Sequence, residues 1–565
     1  MKELLLKKRN RIIPFGICAL YAIITIIYHH TAFEVNDDEA MNLIAVGAYG
    51  ESVSQYLVFQ SVLYGYIVRA FMAVFPGLNW YIIWHLLFNF IATYCISFII
   101  TEKIGVYRGC FCAIIINTFM YLTLYANITY TRSAVLYEIV GCIMIVTALK
   151  PKKWDRLIWG FILLLASMMA RFDSFIMILP FAALFVLVKV ANIYEDKRLV
   201  IRSLVGLAIP LASLMILVKG ADYFAYNTEE WREYRRFNVA RSEILDYGMV
   251  SYDDAEKQYK EMGLSENDYI MLKSWLFNDP DYYNIEKLEK VIAIRDSLDG
   301  YNKGIRINRN TIMATFAYTY QAFTGRVGFA CLWGALLLIL IFKADKKKEC
   351  LWIVYSAIIL LEYFYLACRD RVIVRVEFGI WLAPIIFTLF VLLYNMEIKV
   401  NSVDNYISRV KNNWLTVISA CFLVILCLGE IGNAHLCYVA SHSLDDDFFE
   451  LVRDDGNYYI VDPSSMMTVI NNDFDIDASY KDYYGNIIYA GGWTCHSPIS
   501  NCHLKEAGIT NPFKELLQRD NLYYVDDNGD HDLILKYLQE HYDSNTEINF
   551  VKNIGGYDIW QYTTK

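Results

Sequence analysis

Residues 12–40 read IIPFGICALYAIITIIYHHTAFEVNDDEA, an apolar run followed by three adjacent carboxylates, Asp37, Asp38 and Glu39. Five basic residues precede the apolar run, and no small-x-small cleavage site follows it. This pattern predicts an uncleaved signal anchor whose N-terminus is cytoplasmic. Charged side chains are costly in hydrocarbon, so the three carboxylates are expected to face water or a polar cavity at the membrane rim.

The composition is typical of a membrane protein that also carries polar regions. The 565-residue chain is 56% hydrophobic and has a mean hydropathy of +0.31, which is too apolar for a soluble globular protein. Its net charge of -9 argues against a nucleic-acid partner, which would need a basic face. The lipid bilayer is therefore the expected surrounding of much of the chain.

The pattern of apolar segments predicts an α-helical polytopic membrane domain over residues 1–430, with about eleven transmembrane helices. The expected spans lie at about 12–29, 80–100, 109–125, 133–149, 157–171, 174–193, 203–219, 327–342, 351–367, 378–395 and 414–430. A further apolar stretch, 54–75, is interrupted by Gln55, Gln60 and Arg69. We expect it to lie at the outer surface as an amphipathic or re-entrant helix.

The distribution of lysine and arginine supports this choice. If 54–75 does not cross, the short basic loops all lie on the side of the N-terminus, at 101–108, 150–156, 194–202, 343–350 and 396–413. If 54–75 crossed, all five loops would move outside and violate the positive-inside rule. The multi-pass topology expected in the cell membrane therefore places three segments outside: a juxtamembrane loop at 30–79, a helical insert at 220–325 and the C-terminal region.

The pattern changes after residue 430. Alternating β-type segments at 458–462, 522–526, 548–551 and 557–562, with a helix at about 530–542, predict a small extracytoplasmic α/β domain over residues 431–565.

The charged residues of the predicted outer face are of the types that glycosyl transfer from a lipid-linked donor requires. A carboxylate must take the proton of the acceptor hydroxyl, and cations must stabilise the departing phosphate. Asp37, Asp38 and Glu39 are the candidate bases. The trio could hold a divalent cation, but no motif assigns a metal. The alternative interpretation of the trio is a solvated helix start.

Five arginines are the candidates for binding the donor phosphate. They are expected within about 10–15 Å of the acidic trio, across one cavity. For Arg369, Arg371 and Arg375, the alternative interpretation is snorkelling to lipid headgroups. For Arg171, it is a simple ion pair with Asp173. The candidates are Arg369, Arg371, Arg375, Arg132 and Arg171.

These features resemble the GT-C superfamily of polytopic glycosyltransferases, including the protein O-mannosyltransferase and aminoarabinose-transferase types. Asp38-Glu39-Ala40 is similar to the acidic motif that this family carries in the first outer loop, and Asp37 is an additional acid. The resemblance implies juxtamembrane helices before the second span, a polyprenyl-phosphate-linked sugar as donor, and a glycan, lipid or protein hydroxyl as acceptor. It also implies that the first-loop aspartate is the catalytic base, so Asp38 is the preferred base and Asp37 the alternate, and Glu39 is expected to be an orienting or metal-contacting group. The alternatives are a lipid-linked saccharide transporter or flippase, and a non-catalytic partner in surface polysaccharide assembly.

Two cysteines, Cys495 and Cys502, fall in clearly polar sequence. A disulfide between them is the favoured interpretation in an oxidising exterior. The alternatives are two unpaired thiols and a zinc site that includes the adjacent His496 and His503.

Overall fold

The protein is described by a computed structural model. The structure describes residues 2–27, 32–34, 36–48, 52–150, 152–298, 307–326, 330, 332–334, 346–369, 371–394, 429, 432, 456–464 and 485–564. These residues form a helical protein with several long apolar helices and a C-terminal mixed sheet.

Long helices dominate the first part of the chain. They are α1 Lys2–Ile27, α2 Asn36–Val46, α3 Val62–Val74, α4 Trp80–Ile104, α5 Val106–Phe119, α6 Tyr130–Ala148, α7 Trp154–Ala170, α8 Phe172–Ile193 and α9 Lys197–Ala225. Two short strands, β1 Ala32–Phe33 and β2 Asn127–Ile128, pair in parallel, and a π-helical turn at Leu122–Ala126 leads into β2.

Seven helices in the described ranges are long and apolar enough to cross a membrane, which indicates a multi-pass membrane protein. These segments are Arg9–Ile27, Trp80–Ile104, Tyr130–Ala148, Phe172–Ile193, Lys197–Ala225, Leu351–Cys368 and Val374–Val391. They correspond to seven of the eleven predicted spans. The predicted spans 327–342 and 414–430 lie outside the described residues or almost entirely so.

The remaining two predicted spans, 109–125 and 157–171, are shorter helices. They correspond to α5 and α7, which have 14 and 17 residues. The predicted surface segment 54–75 contains α3, which has only 13 residues. That length is well below the roughly 20 residues of a span, and the same is true of α5, so the prediction that 54–75 does not cross stays a prediction.

Helix α6 lies at the centre of the bundle and is almost entirely buried. It packs closely on α7 because glycines face each other there. A β-carbon on Gly160 would lie 2.6 Å from Ile145, and one on Gly141 would lie 2.9 Å from the carbonyl oxygen of Gly160. Small residues allow this close backbone approach between apolar helices.

Within the described residues, the insert contains five α-helices, and two long apolar helices follow it. The insert contains α10 Glu229–Leu245, α11 Glu256–Glu261, α12 Glu266–Lys273, α13 Ile285–Leu298 and α14 Arg309–Gln321. The next two helices are α15 Lys346–Cys368 and α16 Val374–Tyr394. The N-terminus of α12 is closed by a capping box between Ser265 and Asp268.

The described residues of the C-terminal region form a five-stranded mixed sheet and three helices. The strands are β3 Tyr458–Val461, β4 Ile487–Tyr489, β5 Leu522–Asp526, β6 Thr546–Ile554 and β7 Tyr557–Thr564, and the helices are α17 Pro498–Glu506, α18 Pro512–Glu515 and α19 His531–His541. The strand order is β4-β3-β5-β7-β6. Strand β3 is parallel to both of its neighbours, and β7 is antiparallel to β5 and β6. The four strands and the helix predicted from the sequence are confirmed.

The insert and the C-terminal sheet share one hydrophobic core. Buried side chains of the insert, such as Phe277 and Leu288, belong to the same cluster as Ile460 and Tyr524 of the sheet. The side chain of Asn278 donates a hydrogen bond to the carbonyl oxygen of Tyr489 at 2.7 Å. The two segments therefore form one packed unit although more than a hundred residues separate them in the chain.

Candidate functional site

The acidic trio occupies the first turn of α2. Strand β1 precedes α2, and its partner β2 precedes α6, so the pairing of Phe33 with Ile128 brings the two helix starts together. The amide of Glu34 extends this contact by donating to the carbonyl oxygen of Ile128 at 3.0 Å. A short strand pair thus positions the trio beside the N-terminus of the most buried helix.

Asp37 forms an ion pair with Arg375 of α16, with 3.2 Å between Oδ2 and Nη2. Both side chains are less than one-fifth exposed. The two residues are far apart in the sequence, and the structure brings them into direct contact. The ion pair fixes the orientation of the Asp37 carboxylate at the start of α2.

Asp38 lies in a different environment, because its side chain is completely buried. Its Oδ1 accepts a hydrogen bond from the amide of Tyr130 at 2.9 Å and from the Tyr81 hydroxyl at 3.4 Å. Tyr130 is the first residue of α6, so Asp38 satisfies an amide at that helix N-terminus. Burial raises the pKa of Asp38 well above its usual range, although the Tyr130 amide and the Thr129 hydroxyl oppose this shift.

Glu39 is also buried, and it lies close to Tyr489 of strand β4. We call the insert and the C-terminal sheet together the C-terminal unit. Burial raises the pKa of the Tyr489 hydroxyl well above its usual value, and the nearby charge of Glu39 adds to this effect. The trio therefore lies where the membrane helices meet the unit formed by the insert and the sheet.

Ion pairs occupy most of the predicted phosphate-binding arginines. Arg132 pairs with Glu34 at 2.5 Å, and Arg371 pairs with Asp246 of the insert at 2.8 Å. The guanidinium group of Arg369 lies 5.9 Å from the centre of the Tyr247 ring. We call Glu34, Asp37, Asp246 and the arginines that face them, Arg132, Arg371 and Arg375, the paired cluster.

Arg241 is a member of this region that the sequence analysis missed. It is buried on α10, and its Nη2 donates to Asn238 at 2.7 Å. Burial lowers the pKa of Arg241, and the charges of Asp246 and Asp37 oppose that shift. In the sequence, Arg241 lies within the predicted helical insert at 220–325 and far from Asp37. Its proximity to Asp37 could therefore not be predicted.

The fifth predicted arginine, Arg171, lies at the turn between α7 and α8. Its Nη1 donates to the Tyr130 hydroxyl at 2.8 Å, and its Nη2 lies 3.5 Å from Asp173, whose side chain is mostly exposed. Burial alone would lower the pKa of Arg171, but the surrounding Tyr130, Asp173, Asp37 and Asp38 raise it. Arg171 is therefore close to the acidic trio and outside the paired cluster.

Arg171 also lines a cavity of about 510 Å³. The cavity lies between residues 58–61, the start of α8, the end of α9 and the α10 helix, and we call it the α9 cavity. Its polar lining includes Gln60, Ser61, Arg171, Lys219, Asp222 and Arg235. Lys219 and Arg235 were not predicted as site residues. The position of Lys219 is typical of the end of a span, and that of Arg235 is typical of an exposed helix surface.

A signal for this surface is present in the sequence. Lys219, Asp222, Tyr223 and Tyr226 follow the i, i+3, i+4, i+7 spacing, which places them on one face of a helix. All four line the cavity. A polar and aromatic face in the last two turns of an otherwise apolar span is the pattern that could have revealed it.

One wall of the α9 cavity is conformationally unusual. Val58 has a φ of 65°, in the left-handed region that β-branched residues avoid. Its amide donates to the Tyr226 hydroxyl at 3.0 Å. The adjacent Phe59 ring packs on Trp493 of the C-terminal unit, with 4.7 Å between ring centres. Contacts to α9 and to the C-terminal unit therefore hold this wall in place.

One group of described residues has ligand atoms close enough to hold a metal ion, and it is not the acidic trio. Asp268, Glu540 and His541 place these atoms within 4.8 Å of one another. His541 Nε2 lies 2.8 Å from Asp268, the Tyr282 hydroxyl donates to Asp268, and the Ser265 hydroxyl donates to Glu540. These contacts account for the cluster as a hydrogen-bonded junction between α12 and α19.

The disulfide predicted between Cys495 and Cys502 is wrong, because both are free thiols. Cys495 is buried after β4, and its Sγ lies 3.8 Å from the carbonyl oxygen of Tyr489. Cys502 is exposed on α17, and its Sγ lies 3.5 Å from Glu506. The two thiols have different partners and different environments.

No protein-family model matches this chain, and comparison with curated proteins gives no significant match. The resemblance to polytopic glycosyltransferases and the roles given to the acids and arginines therefore stay predictions.

Proposed function

We propose that the chain is a membrane glycosyltransferase of the GT-C type. It moves a sugar from a polyprenyl-phosphate donor to a hydroxyl group of a cell-envelope glycan, lipid or protein, with inversion, at the outer membrane face. The observation that carries this proposal is the contact between Asp37 and Arg375 at 3.2 Å. This contact gives the partly exposed Asp37 carboxylate a fixed orientation where the membrane helices meet the C-terminal unit.

The reaction needs one proton acceptor and a stabilised leaving group. The acceptor oxygen attacks the anomeric carbon while the bond from that carbon to the phosphate oxygen breaks. The proton of the acceptor hydroxyl passes to the carboxylate, and polyprenyl phosphate leaves with the electron pair of the broken bond. Phosphate is a weak base, so this step needs no general acid, unlike glycoside hydrolysis with its two carboxylates.

The geometry favours Asp37 over Asp38 as the base. Asp38 is fully buried, and one of its oxygens is occupied by the amide at the start of α6. Its raised pKa also disfavours the ionised form that a base requires. Asp37 is partly exposed and pairs with Arg375, which leaves an oriented carboxylate within reach of an acceptor. Asp38 then positions α2 against α6, and Glu39 orients the trio toward the C-terminal unit.

The sugar donor and the acceptor would meet where the bundle and the polar unit join. Tyr130 links the acidic trio to the α9 cavity, because its amide donates to Asp38 and its hydroxyl accepts from Arg171, which lines the cavity. This proposal requires the N-terminus in the cytoplasm and the C-terminal unit outside, as the positive-inside rule predicts.

The proposal can be tested in cells with a deletion strain. Mass spectrometry of envelope glycans, lipids and proteins should reveal a missing sugar, and the wild-type chain should restore it. Asp37→Asn removes the proton acceptor with almost no change of shape, so this variant should fail to restore the sugar.

Asp155→Asn is the matched control. Asp155 is an exposed carboxylate in the first turn of α7, and the variant should restore the sugar fully. Both variants must reach the membrane in equal amounts by immunoblot. Restoration by Asp37→Asn at the control level would contradict the proposed role of Asp37.

One observation favours a second candidate, movement of a lipid-linked saccharide across the membrane. Glu138 of α6 is fully buried within a candidate span, and neither carboxyl oxygen has a hydrogen-bond partner among the described residues. Ionisable groups inside the membrane commonly mark transport pathways. Under this alternative Glu138→Gln would abolish function and Asp37→Asn would not, and a lipid-linked precursor would accumulate on the cytoplasmic side of the deletion strain.

A further inference from the structure

The α9 cavity contains cations that lack carboxylate partners. Among the described residues, neither Lys219 nor Arg235 has a carboxylate within 4.0 Å. Instead, the Lys219 Nζ lies 4.1 Å from the centre of the Phe172 ring, and Arg235 lies 4.8 Å from that of Tyr226. The aromatic rings orient both cations without neutralising them.

The carboxylates of the cavity are engaged elsewhere or exposed. Oδ1 of Asp222 accepts hydrogen bonds from the Ser61 hydroxyl at 2.8 Å and from the Val62 amide at 2.9 Å. These groups form the N-terminus of α3, so Asp222 acts as an anion bound at a helix start. Asp173 is 80% exposed and pairs with Arg171 at 3.5 Å. With Arg171, Lys219 and Arg235 against two carboxylates, the lining carries a net charge of +1.

A helix start adds to the positive potential of the cavity. Helix α8 begins at Phe172, and no side chain caps its first amides. Arg171, Phe172 and Asp173 all line the cavity, so this uncapped N-terminus borders it. The unpaired amides and the helix dipole favour an anion there.

The cavity also borders an apolar surface that is exposed among the described residues. Helix α9 is long and apolar, and its described spanning segment has almost no buried residues. Ile216 and Phe224 are largely exposed on it, and Tyr223 lines the cavity while being more than half exposed. An apolar chain could therefore follow α9 in the bilayer while its polar end occupies the cavity.

We propose that the α9 cavity binds the phosphate group of a polyprenyl-phosphate lipid through Arg171, Lys219 and Arg235. This inference rests on and deepens the proposed function, because it assigns the donor phosphate to a place. It replaces Arg132, Arg371 and Arg375 as phosphate ligands, since each forms an ion pair at 2.5–3.2 Å. Arg171 meets its carboxylate partner Asp173 only at 3.5 Å, and Asp173 is mostly exposed. Arg171 joins the two regions through Tyr130, whose amide contacts Asp38.

Binding can be measured on the purified full-length chain in phosphatidylcholine nanodiscs. Polyprenyl monophosphate is added to the lipid, and bound lipid is quantified by native mass spectrometry. The wild type should retain polyprenyl monophosphate in preference to phosphatidylcholine. Lys219→Gln and Arg235→Gln should each weaken retention about tenfold or more, because each removes a charge-assisted contact to phosphate.

The neighbouring arginine provides a matched control. Arg236 follows Arg235 on α10 but pairs with Glu289, and it does not line the α9 cavity. Arg236→Gln should bind like the wild type, and Arg235→Lys should retain most of the affinity. Unchanged melting temperatures without added lipid would show that the variants fold. Equal retention by Arg235→Gln, Lys219→Gln and Arg236→Gln would overturn the inference.

Further arms separate the sources of the phosphate and the two proposals. Inorganic phosphate should not displace the lipid at equal concentration, and displacement would overturn the lipid assignment. Asp37→Asn should bind polyprenyl monophosphate normally. If retention of polyprenyl monophosphate depends on Lys219 and Arg235 but no sugar transfer is found, the inference stands and the proposed function fails. If transfer depends on Asp37 while binding ignores Lys219 and Arg235, the inference fails and the proposed function stands.

Discussion

The paired cluster and the α9 cavity both lie close to Tyr130 and use the same residue types in opposite ways. In the paired cluster each of Arg132, Arg371 and Arg375 faces a carboxylate at 2.5–3.2 Å. In the cavity, Lys219 and Arg235 lie on aromatic rings. The same cation can therefore fasten protein segments together or bind a ligand, and the partner it already has decides between these roles.

The difference follows from the cost of burying charge. A buried arginine needs a compensating carboxylate, because an unpaired charge away from water is strongly unfavourable. Cations at an open cavity keep their hydration and need no such partner. They can exchange water for a phosphate group at little cost. We therefore expect substitutions in the paired cluster to change stability, and substitutions at the cavity to change binding.

The largest expected effect concerns Asp37, the one acid of the paired cluster to which we assign chemistry. Asp37→Asn should lower the rate of sugar transfer by about 10²–10⁴-fold, the usual contribution of a general base. Its melting temperature should also fall, because Arg375 loses the carboxylate that neutralises it, so the rates are compared at equal amounts of folded protein. Transfer can be measured in proteoliposomes by mass spectrometric detection of the sugar-bearing product. A normal rate would remove the base assignment.

Reversing the charge of Arg375 should break the paired cluster. Arg375→Asp places two carboxylates together in a mostly buried site, and we expect a loss of about 1–3 kcal/mol in the free energy of unfolding. The double variant with Asp37→Arg should recover part of this loss. Chemical denaturation of the three proteins measures both effects, and an additive loss in the double variant would show that the pair does not interact.

The pH dependence of stability should distinguish Asp38 from its neighbour. Folding raises the pKa of Asp38, so its contribution to stability is complete below the unfolded value of about 3.9 and is lost as the pH rises through the raised value. Asp38→Asn cannot titrate. Its melting temperature relative to that of the wild type should be least favourable at low pH and should improve as the pH rises. Parallel curves for the two proteins would contradict the buried, proton-binding state of Asp38.

The smallest expected effect concerns the wall of the cavity. Val58→Gly removes the steric conflict of a β-branched residue at positive φ, which should stabilise the fold by up to about 1 kcal/mol. The added freedom of glycine in the unfolded chain offsets part of this gain. Thermal denaturation with and without polyprenyl monophosphate should show a similar or higher melting temperature and a smaller shift on lipid addition. A large loss of stability would mean that the Val58 side chain holds the wall.

Local patterns predicted much of the fold. The apolar run at 174–193 corresponds to Phe172–Ile193, and the strand at 522–526 is Leu522–Asp526. Both signals depend on neighbouring residues alone, so the sequence carries them directly. Strand β4 escaped because it has only three residues. The core shared by the insert and the sheet escaped because it depends on contacts such as that of Asn278 with Tyr489.

In the candidate site too, local sequence patterns were predictable and contacts between distant residues were not. The acidic trio is contiguous in the sequence and stands out after the first apolar run. The partners of its members could not be predicted, because Arg375 and Tyr130 meet α2 only through the packing of α6 and α16. The preference for Asp38 as base rested on a motif. Asp38 is fully buried and Asp37 is partly exposed. This difference depends on the folded chain and could not be predicted from the sequence.

The structure of the full-length chain bound to polyprenyl monophosphate in nanodiscs, determined by electron cryomicroscopy, would test the difference between the two regions most directly. We predict density for the phosphate in the α9 cavity, with its oxygens at about 2.7–2.9 Å from the cationic nitrogens of Lys219 and Arg235, and an unbroken contact between Asp37 and Arg375. Phosphate density at Arg371 and Arg375, with Asp37 and Asp246 displaced from them, would contradict this account.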